Sequence, residues 1–402
     1  MPPNSQKLRI AFLTNEFISE HPTRGGLGNY LNRITQTLKG LGHAPEVFVI
    51  SKTEPRVINF NGIRVERVPR LNNRYIKFAR KVQNRLIESP RGNPVSHLAA
   101  AMALAHAFER RHHELPFHFL QCADGCATGL FVKKRQNCPL LIRLSSKRDL
   151  WYQTDGCFNY SGTKIITWLE KKALQRADIA YAPSKYVSEK CREHWRGDVL
   201  VLRPPLFRET KTFDSLLPGL PEKYLIHFGQ IGARKGSDLV ARALCKIWKQ
   251  EPNFKMIWAG KAITPGDFEQ CHQFWGEYAA NVIWLGPVKK EILYTLLKQS
   301  ITAVLPSRVD NLPNTVIESL MFGIPVIGSK GASIDEIVEP GLNGELVDIG
   351  DIDTLAEKML QAWRMGKSWI DPFVVPSIFN ELEPKKAAMN LIRLAGYDAK
   401  PA

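Results

Sequence analysis

Short apolar runs alternate with helix-period stripes along most of the chain, the pattern of βαβ units around parallel sheets. The first unit is the clearest. Residues 8–13 predict a strand, and a polar loop holding Gly25, Gly26 and Gly28 follows. A helix then carries Leu27, Tyr30, Leu31, Ile34, Leu38 and Leu41 on one stripe, and Gly42 ends it. Further strands are predicted at 46–51, 117–121, 140–144 and 179–183, with a helix over 165–176 and Ser184 placed to cap the next one. Residues 203–222 break the rhythm. Pro204, Pro205, Pro218 and Pro221 fall there in a stretch with no sustained period, which reads as a linker. A second alternation begins after it, with strands at 224–228, 255–259, 281–285, 302–305, 325–328 and 345–347. Helices are predicted between them at 238–249, 290–298 and 315–322. The fold class that follows is α/β: two doubly wound, Rossmann-like domains at 1–205 and 223–382, joined by a linker over 206–222. A last stretch, 383–402, contains a further helix outside the alternation, expected to pack back towards the first domain.

Composition narrows the class. A chain of 402 residues can bury two or three cores, and 44% hydrophobic with 23% charged residues is ordinary for a soluble globular protein. No run approaches the ~18 apolar residues of a transmembrane helix. The apolar run after the polar N-terminus is too short for a signal-peptide core, so a cytoplasmic location is expected. Seven scattered cysteines do not make a disulfide framework. Cys122 and Cys126 have no second close pair after them, so buried reduced thiols are expected rather than zinc.

The formal charge of +16 is partly concentrated between Arg64 and Arg91, where nine Lys or Arg face only Glu66 and Glu88. Arg74, Lys77, Arg80, Lys81 and Arg85 recur at helical spacing, with Ile76, Phe78, Val82 and Leu86 among them. Two readings stay open: a solvated helix face, or a surface for anionic lipid headgroups or an acidic acceptor, peripheral on the inner face of a membrane. No nucleic-acid module accompanies the charge, and nucleic acid is not an expected partner.

In open parallel sheets, ligands bind beyond the carboxyl ends of the strands. The second domain places Gly229-Gln230, Gly260-Lys261, Gly286-Pro287, Pro306-Ser307 and Ser329-Lys330-Gly331 there. One such loop is an ordinary βα turn; five at one edge make a rim where backbone can approach a ligand closely. Lys235-Gly236 precedes a helix, where charge and dipole together suit a diphosphate, although the spacing is not that of a phosphate-loop ATPase. The densest cluster runs from Leu305 to Glu318. Asn314 is expected to cap the helix carrying Glu318, Asp310 lies in the loop before it, and the amides near Asn314 and Thr315 remain for phosphate oxygens. The two carboxylates could each accept hydrogen bonds from paired sugar hydroxyls. Spacing alone equally allows an unremarkable loop aspartate and a glutamate placed for the helix dipole.

Pro306-Ser307, Asp310, Glu318 and Gly323-Ile324-Pro325-Val326-Ile327 together resemble the family 4 retaining glycosyltransferases of the GT-B fold, as do Asp335-Glu336-Ile337-Val338 and Asn343-Gly344 after them. The loop from Gly229 to Gly236 resembles that family's phosphate loop, and Leu285-Gly286-Pro287-Val288 its nucleoside-side loop. Gly25-Gly26 before a helix ending Gly42-His43, and Ala177-Asp178 with Pro183-Ser184, match its N-terminal domain. The resemblance implies two Rossmann-like domains facing each other across a cleft. It implies a nucleotide sugar (UDP-, GDP- or ADP-linked) as co-substrate and a saccharide or lipid-linked acceptor, in polysaccharide or glycoconjugate assembly, with no metal and no other cofactor. By that resemblance Glu318 holds the ribose, Asp310 the donor-sugar hydroxyls, and Lys235 neutralises the departing diphosphate. Gly25, Gly26, Gly229, Gln230, Arg234, Gly260, Lys261, Gly286, Pro287, Val288, Asn311, Leu312, Pro313, Asn314 and Thr315 complete the expected donor site.

Three positions depart from the family pattern. Asp310 stands where glutamate is commoner, Gln230 where an arginine is usual, and Arg143-Leu144-Ser145 where many members carry a histidine. Arg143 and Ser145 are therefore assigned to the acceptor side, while His43 and His97 do not substitute for the missing group. Asp351-Ile352-Asp353 reads as a helix cap, not a metal site. The alternatives to the transferase are a GT-B protein that binds a sugar nucleotide without turnover, or a GT-B epimerase.

Overall fold

The computed structural model describes residues 7–20, 26–90, 92–145, 148–192, 195, 197–207, 219–264, 266–370 and 377–397. Gly25, Arg91 and most of the expected linker lie outside the described residues. The chain divides into two compact units, Met1–Phe207 with Asn380–Ala402, and Arg208–Phe379.

The first unit runs β1 (Arg9–Thr14), α1 (Gly26–Gly40), β2 (Ala44–Ser51), β3 (Val57–Phe60), β4 (Ile63–Pro69), α2 (Arg74–Leu86), α3 (Pro94–Glu114), β5 (Phe119–Ala123), β6 (Leu140–Arg143), α4 (Arg148–Thr154), α5 (Ser161–Leu174), β7 (Ile179–Ala182), α6 (Lys185–Cys191) and β8 (Leu200–Val201). Its sheet has the order β3-β4-β2-β1-β5-β6-β7-β8 and is parallel except for β3, which forms an antiparallel hairpin with β4. Alternation along β1 feeds two cores: Ile10 and Phe12 join the α1 stripe of Leu31, Ile34 and Leu38, while Ala11 and Leu13 join Leu104 and Phe108 of α3. Ser184 caps α6, accepting from the Val187 amide at 3.2 Å.

The hairpin and α3 were not expected from the sequence. In β4 the charged residues are not solvated: Arg64 bridges Glu46 and Glu66 at 3.1 and 3.0 Å, and Arg67 reaches Glu20 at 2.8 Å. Part of the basic segment is thus neutralised within the fold. Burial alone would raise the Glu46 carboxyl, but hydrogen bonds from Arg111 and Arg9 outweigh it and hold the group below its ordinary value.

The second unit runs β9 (Leu225–Phe228), α7 (Ser237–Ile247), β10 (Met256–Ala259), α8 (Asp267–His272), β11 (Val282–Trp284), α9 (Lys290–Gln299), β12 (Ala303–Leu305), α10 (Asn314–Met321), β13 (Val326–Ser329), β14 (Gly344–Val347) and α11 (Ile352–Met365). Its sheet is wholly parallel, in the order β11-β10-β9-β12-β13-β14. The four central strands, β9, β10, β12 and β13, are short and buried on both faces, which is why they read as plain apolar runs. Asp351 caps α11, accepting from the Thr354 amide at 3.0 Å. Two α/β units built on parallel sheets are the doubly wound architecture that the sequence pattern predicts.

After α11 the chain returns to the first unit. Leu206 N–H donates to Leu382 O at 2.8 Å, Arg203 pairs with Glu381 at 2.9 Å, and α12 (Pro384–Leu394) packs on α1. All seven cysteines are free, and no helix among the described residues is long and apolar enough to cross a membrane.

Candidate donor site at a strand-order reversal

In the second unit the chain winds from β9 to β10 and β11 on one side, then crosses back to β12, β13 and β14 on the other. The reversal lies between β9 and β12, the position at which open α/β sheets form their ligand crevice, outside the carboxyl ends of the strands. Those two loops carry Lys235, Asp310 and the segment leading to Glu318.

The loops are locked together by backbone and charge. The Arg308 amide donates to Arg234 O at 2.9 Å, and the Arg308 guanidinium grips Asp238 with two bonds of 2.6 and 2.7 Å. Lys235 forms an ion pair with Asp310, whose carboxylate also accepts from Ser307 Oγ at 3.3 Å and the Asn311 amide at 2.9 Å. Gly236 starts α7 with φ +71°, and a Cβ there would collide with the Pro306 carbonyl. The loops can close on each other only because that side chain is missing.

A buried histidine supports this arrangement from beneath. His227 Nδ1 lies 2.7 Å from Val304 O, which can only accept, so Nδ1 carries the proton; Nε2 then accepts from Ser237 Oγ at 2.9 Å. Ser237 Oγ in turn accepts from the Gly232 amide at 2.9 Å. One imidazole thereby ties β9 to β12 and fixes the entry to α7. Burial pushes it down to about 4, so it is neutral at neutral pH. The sequence reading passed over His227; the signal was a lone polar residue inside the apolar run of β9.

Beside this crevice, the ends of β9, β10 and β11 are stitched in a row. Gly229 N–H donates to Ala259 O at 2.9 Å and Gly260 N–H to Gly286 O at 2.8 Å. A Cβ on Gly260, where φ is +150°, would be driven into the Gly229 carbonyl. Gln230, Lys261 and Pro287 stand exposed on the rim, with Arg234 and Val288 half-buried.

One local expectation is corrected. Asn314 is the first residue of α10 rather than its cap; Pro313 takes the cap position, and no side chain caps the helix. Leu312, buried just before it, adopts φ +50°, an uncommon conformation for a branched side chain that aims the chain into α10. The first amides of α10 have no carbonyl of their own helix to bind and face the loop. Glu318, half-buried, lies three residues beyond Thr315 on the same side of the helix. The Thr315 methyl is where a Cβ on Gly229 would meet it, at 3.0 Å, so this face of α10 borders the β9 loop.

In the first unit, Gly26 is the first residue of α1, and Gly28 N–H donates to Glu16 at 3.2 Å. Arg143, at the end of β6, is only 5% exposed. Its guanidinium lies 3.9 Å over the Tyr30 ring and donates to Ser145 Oγ at 3.0 Å. Tyr30 and Tyr181 both donate to Gln121, at 2.9 and 2.6 Å, and burial raises both phenols, which stay protonated. Arg143 is therefore engaged within the unit, and Ser145 is the more accessible of the two.

Residues 208–368 match the family model described as glycosyl transferases group 1. Over 190 residues the chain is 27% identical to lipopolysaccharide 1,6-galactosyltransferase of Escherichia coli strain K12, covering 45% of this chain and about half (51%) of that relative. It is 27% identical over 386 residues to the uncharacterized glycosyltransferase MJ1607 of Methanocaldococcus jannaschii, covering 89% and 90% of the two chains. The fold resembles that of Anabaena Alr3699/HepE, solved in complex with UDP and glucose, with a TM-score of 0.70 at 15% identity, over 97% of this chain and 99% of that one. The fold is thus that of the GT-B glycosyltransferases.

Proposed function

We propose that the protein is a retaining glycosyltransferase that moves a sugar from a nucleotide sugar to a saccharide or lipid-linked acceptor in glycoconjugate or polysaccharide assembly. The observation that carries this reading is the Lys235–Asp310 pair between two helix starts at the strand-order reversal, with Glu318 one turn into the second of those helices. The group 1 match over the same unit supports it, as do the similarities to a galactosyltransferase and to a structure holding UDP and glucose.

A diphosphate carries several negative charges, and a bare carboxylate in its site would repel it. Pairing with Lys235 offsets the charge of Asp310 before the donor arrives. Lys235, Arg234 and the amides opening α7 and α10 then meet the phosphate oxygens, and Glu318 takes the ribose hydroxyls. Charge on the leaving group is met by protein groups, and for this reason we propose a reaction that needs no divalent ion. The acceptor oxygen bonds to the anomeric carbon on the face that the diphosphate leaves. The bond from that carbon to phosphate oxygen breaks, and the acceptor's proton passes to the departing phosphate. A cytoplasmic location suits the seven free thiols.

Thermal shift against UDP, GDP and ADP identifies the base, because selective binding stabilises the folded chain. Labelled donors with EDTA present, and NMR of the product's anomeric centre, then test metal independence and retention. Glu318→Ala should remove turnover and leave the melting temperature within a few degrees; a fully active variant would end the assignment. Gln230 and Ser145 favour one second reading, a nucleotide-sugar binder without turnover. It predicts donor stabilisation with neither transfer nor hydrolysis.

A further inference from the structure

The α2 helix reverses the usual arrangement of an amphipathic surface helix. Ile76, Ala79, Arg80 and Gln83 face inward, and α2 packs on α3 through this side. The larger apolar side chains point the other way. Tyr75, Phe78 and Leu86 are 68%, 69% and 77% exposed, and Val82 is exposed on the same line. Their spacing of three, four and four residues makes one continuous stripe, about three helical turns long.

A second stripe runs beside it with the same spacing: Arg74, Lys77, Lys81 and Arg85, all exposed, with Arg70 exposed in the segment that precedes the helix. Each basic residue directly precedes an apolar one. No acidic residue occurs in α2, and none of these five cations forms an ion pair among the described residues. Arg64 and Arg67 of β4, by contrast, are fully engaged with glutamates. Along this segment, then, the β4 cations are paired inside the fold, while the exposed cations beside the apolar stripe are left for something outside it.

We propose that α2 is a docking surface for an anionic lipid bilayer, lying in the plane of the interface. Tyr75, Phe78, Val82 and Leu86 enter the acyl boundary, and the adjacent basic stripe sits at the level of the phosphates. Charge complementarity selects this occupant. A protein groove that accepts an amphipathic helix covers its apolar stripe, but four parallel cations would each need a carboxylate in register, whereas a bilayer of anionic headgroups supplies negative charge at any register. Tyrosine and phenylalanine beside Lys and Arg also suit a boundary that is wet on one side. The inference does not depend on the transferase reading, since it concerns a different face and its test needs no turnover.

The test is flotation of the full chain with vesicles of phosphatidylcholine alone, or with about one-third phosphatidylglycerol, at low and at physiological salt. The expected result is binding to the anionic vesicles only. Lys77→Gln/Lys81→Gln should lower partitioning roughly 25-fold, about fivefold per cation removed. Tyr75→Ser/Phe78→Ser/Leu86→Ser alters exposed side chains only, so its melting curve should match the parent while flotation is lost. Absence of binding to anionic vesicles at low salt would overturn the proposal. So would binding that the apolar triple variant leaves intact, which would be plain ion attraction. Dimerisation in light scattering that the triple variant abolishes, without vesicle binding, would replace the bilayer by a second copy of the chain.

Discussion

Replacing His227 by asparagine should flatten the dependence of stability on pH. The imidazole is fully buried and held near 4, against an ordinary value of 6.5, with burial as the main cause. The unfolded chain takes up its proton near 6.5, while the folded chain resists until about 4. Across that window protons favour the unfolded state, so the contribution of His227 is complete above pH 6.5 and falls as the pH drops towards 4. A gap of about 2.5 units corresponds to roughly 3 kcal/mol. Asparagine can still donate to Val304 O but offers no acceptor to Ser237 Oγ, so the variant should be about 1–3 kcal/mol less stable at neutral pH. The two proteins should therefore converge on acidification. Urea unfolding at pH 7.5, 6.0, 5.0 and 4.5 measures this. It should be followed at the tryptophans of the second unit, where Trp258 lies 4.8 Å from the His227 ring. The difference from the variant cancels acid effects elsewhere in the chain. Protonation of the folded chain removes the acceptor that orients Ser237, so nucleotide affinity should hold through pH 5 and fall only as the pH approaches 4. A constant gap between parent and variant from pH 7.5 to 4.5, or an NMR titration of His227 near 6, would falsify the reasoning.

Gly260→Ala should cost about 2–4 kcal/mol, from overpacking against the Gly229 carbonyl and an unfavourable φ, and should weaken nucleotide binding more than fold content; a melt paired with UDP titration reads both. Lys235→Met should weaken a nucleoside diphosphate at least tenfold and the free nucleoside hardly at all, because it removes charge only from the phosphate side; equal losses in calorimetry would place Lys235 elsewhere. The depressed Glu46 carboxyl contributes stability that is complete above its ordinary value of 4.5 and is lost as the pH falls through its lower folded value. Glu46→Gln should therefore be less stable at pH 7 and less acid-sensitive below pH 4.5, as measured by circular dichroism melts.

The second unit was legible because its central strands are short, apolar and buried on both faces, and each is followed by turn residues. In the first unit the same logic failed where burial was achieved by other means. Arg64 and Glu66 in β4 look solvated in sequence, and their ion pairs across strands and to Arg110 become visible only in three dimensions. The α3 helix is filled with alanines at 99, 100, 101, 103, 105 and 107, whose small side chains leave a faint stripe. At the candidate site, the positions of Asp310, Glu318 and Lys235 could be read from loops and helix starts. That Lys235 meets Asp310 across 75 residues could not, since no local pattern encodes it. The direction in which α2 faces was equally hidden: helical spacing gives the stripes but not which one is buried.

The packing of α12 on α1 bears on how the protein is made. Ala388, Leu391 and Ile392 share one cluster with Ile10, Phe12, Leu31 and Ile34, so the first core is contributed by residues some 350 positions apart. As the chain leaves the ribosome, its leading unit must wait for the entire second unit to be synthesised before that face is covered. Until then the part of this cluster that α12 covers is open to solvent and to chaperones. The protein's first domain to appear is thus its last to be completed.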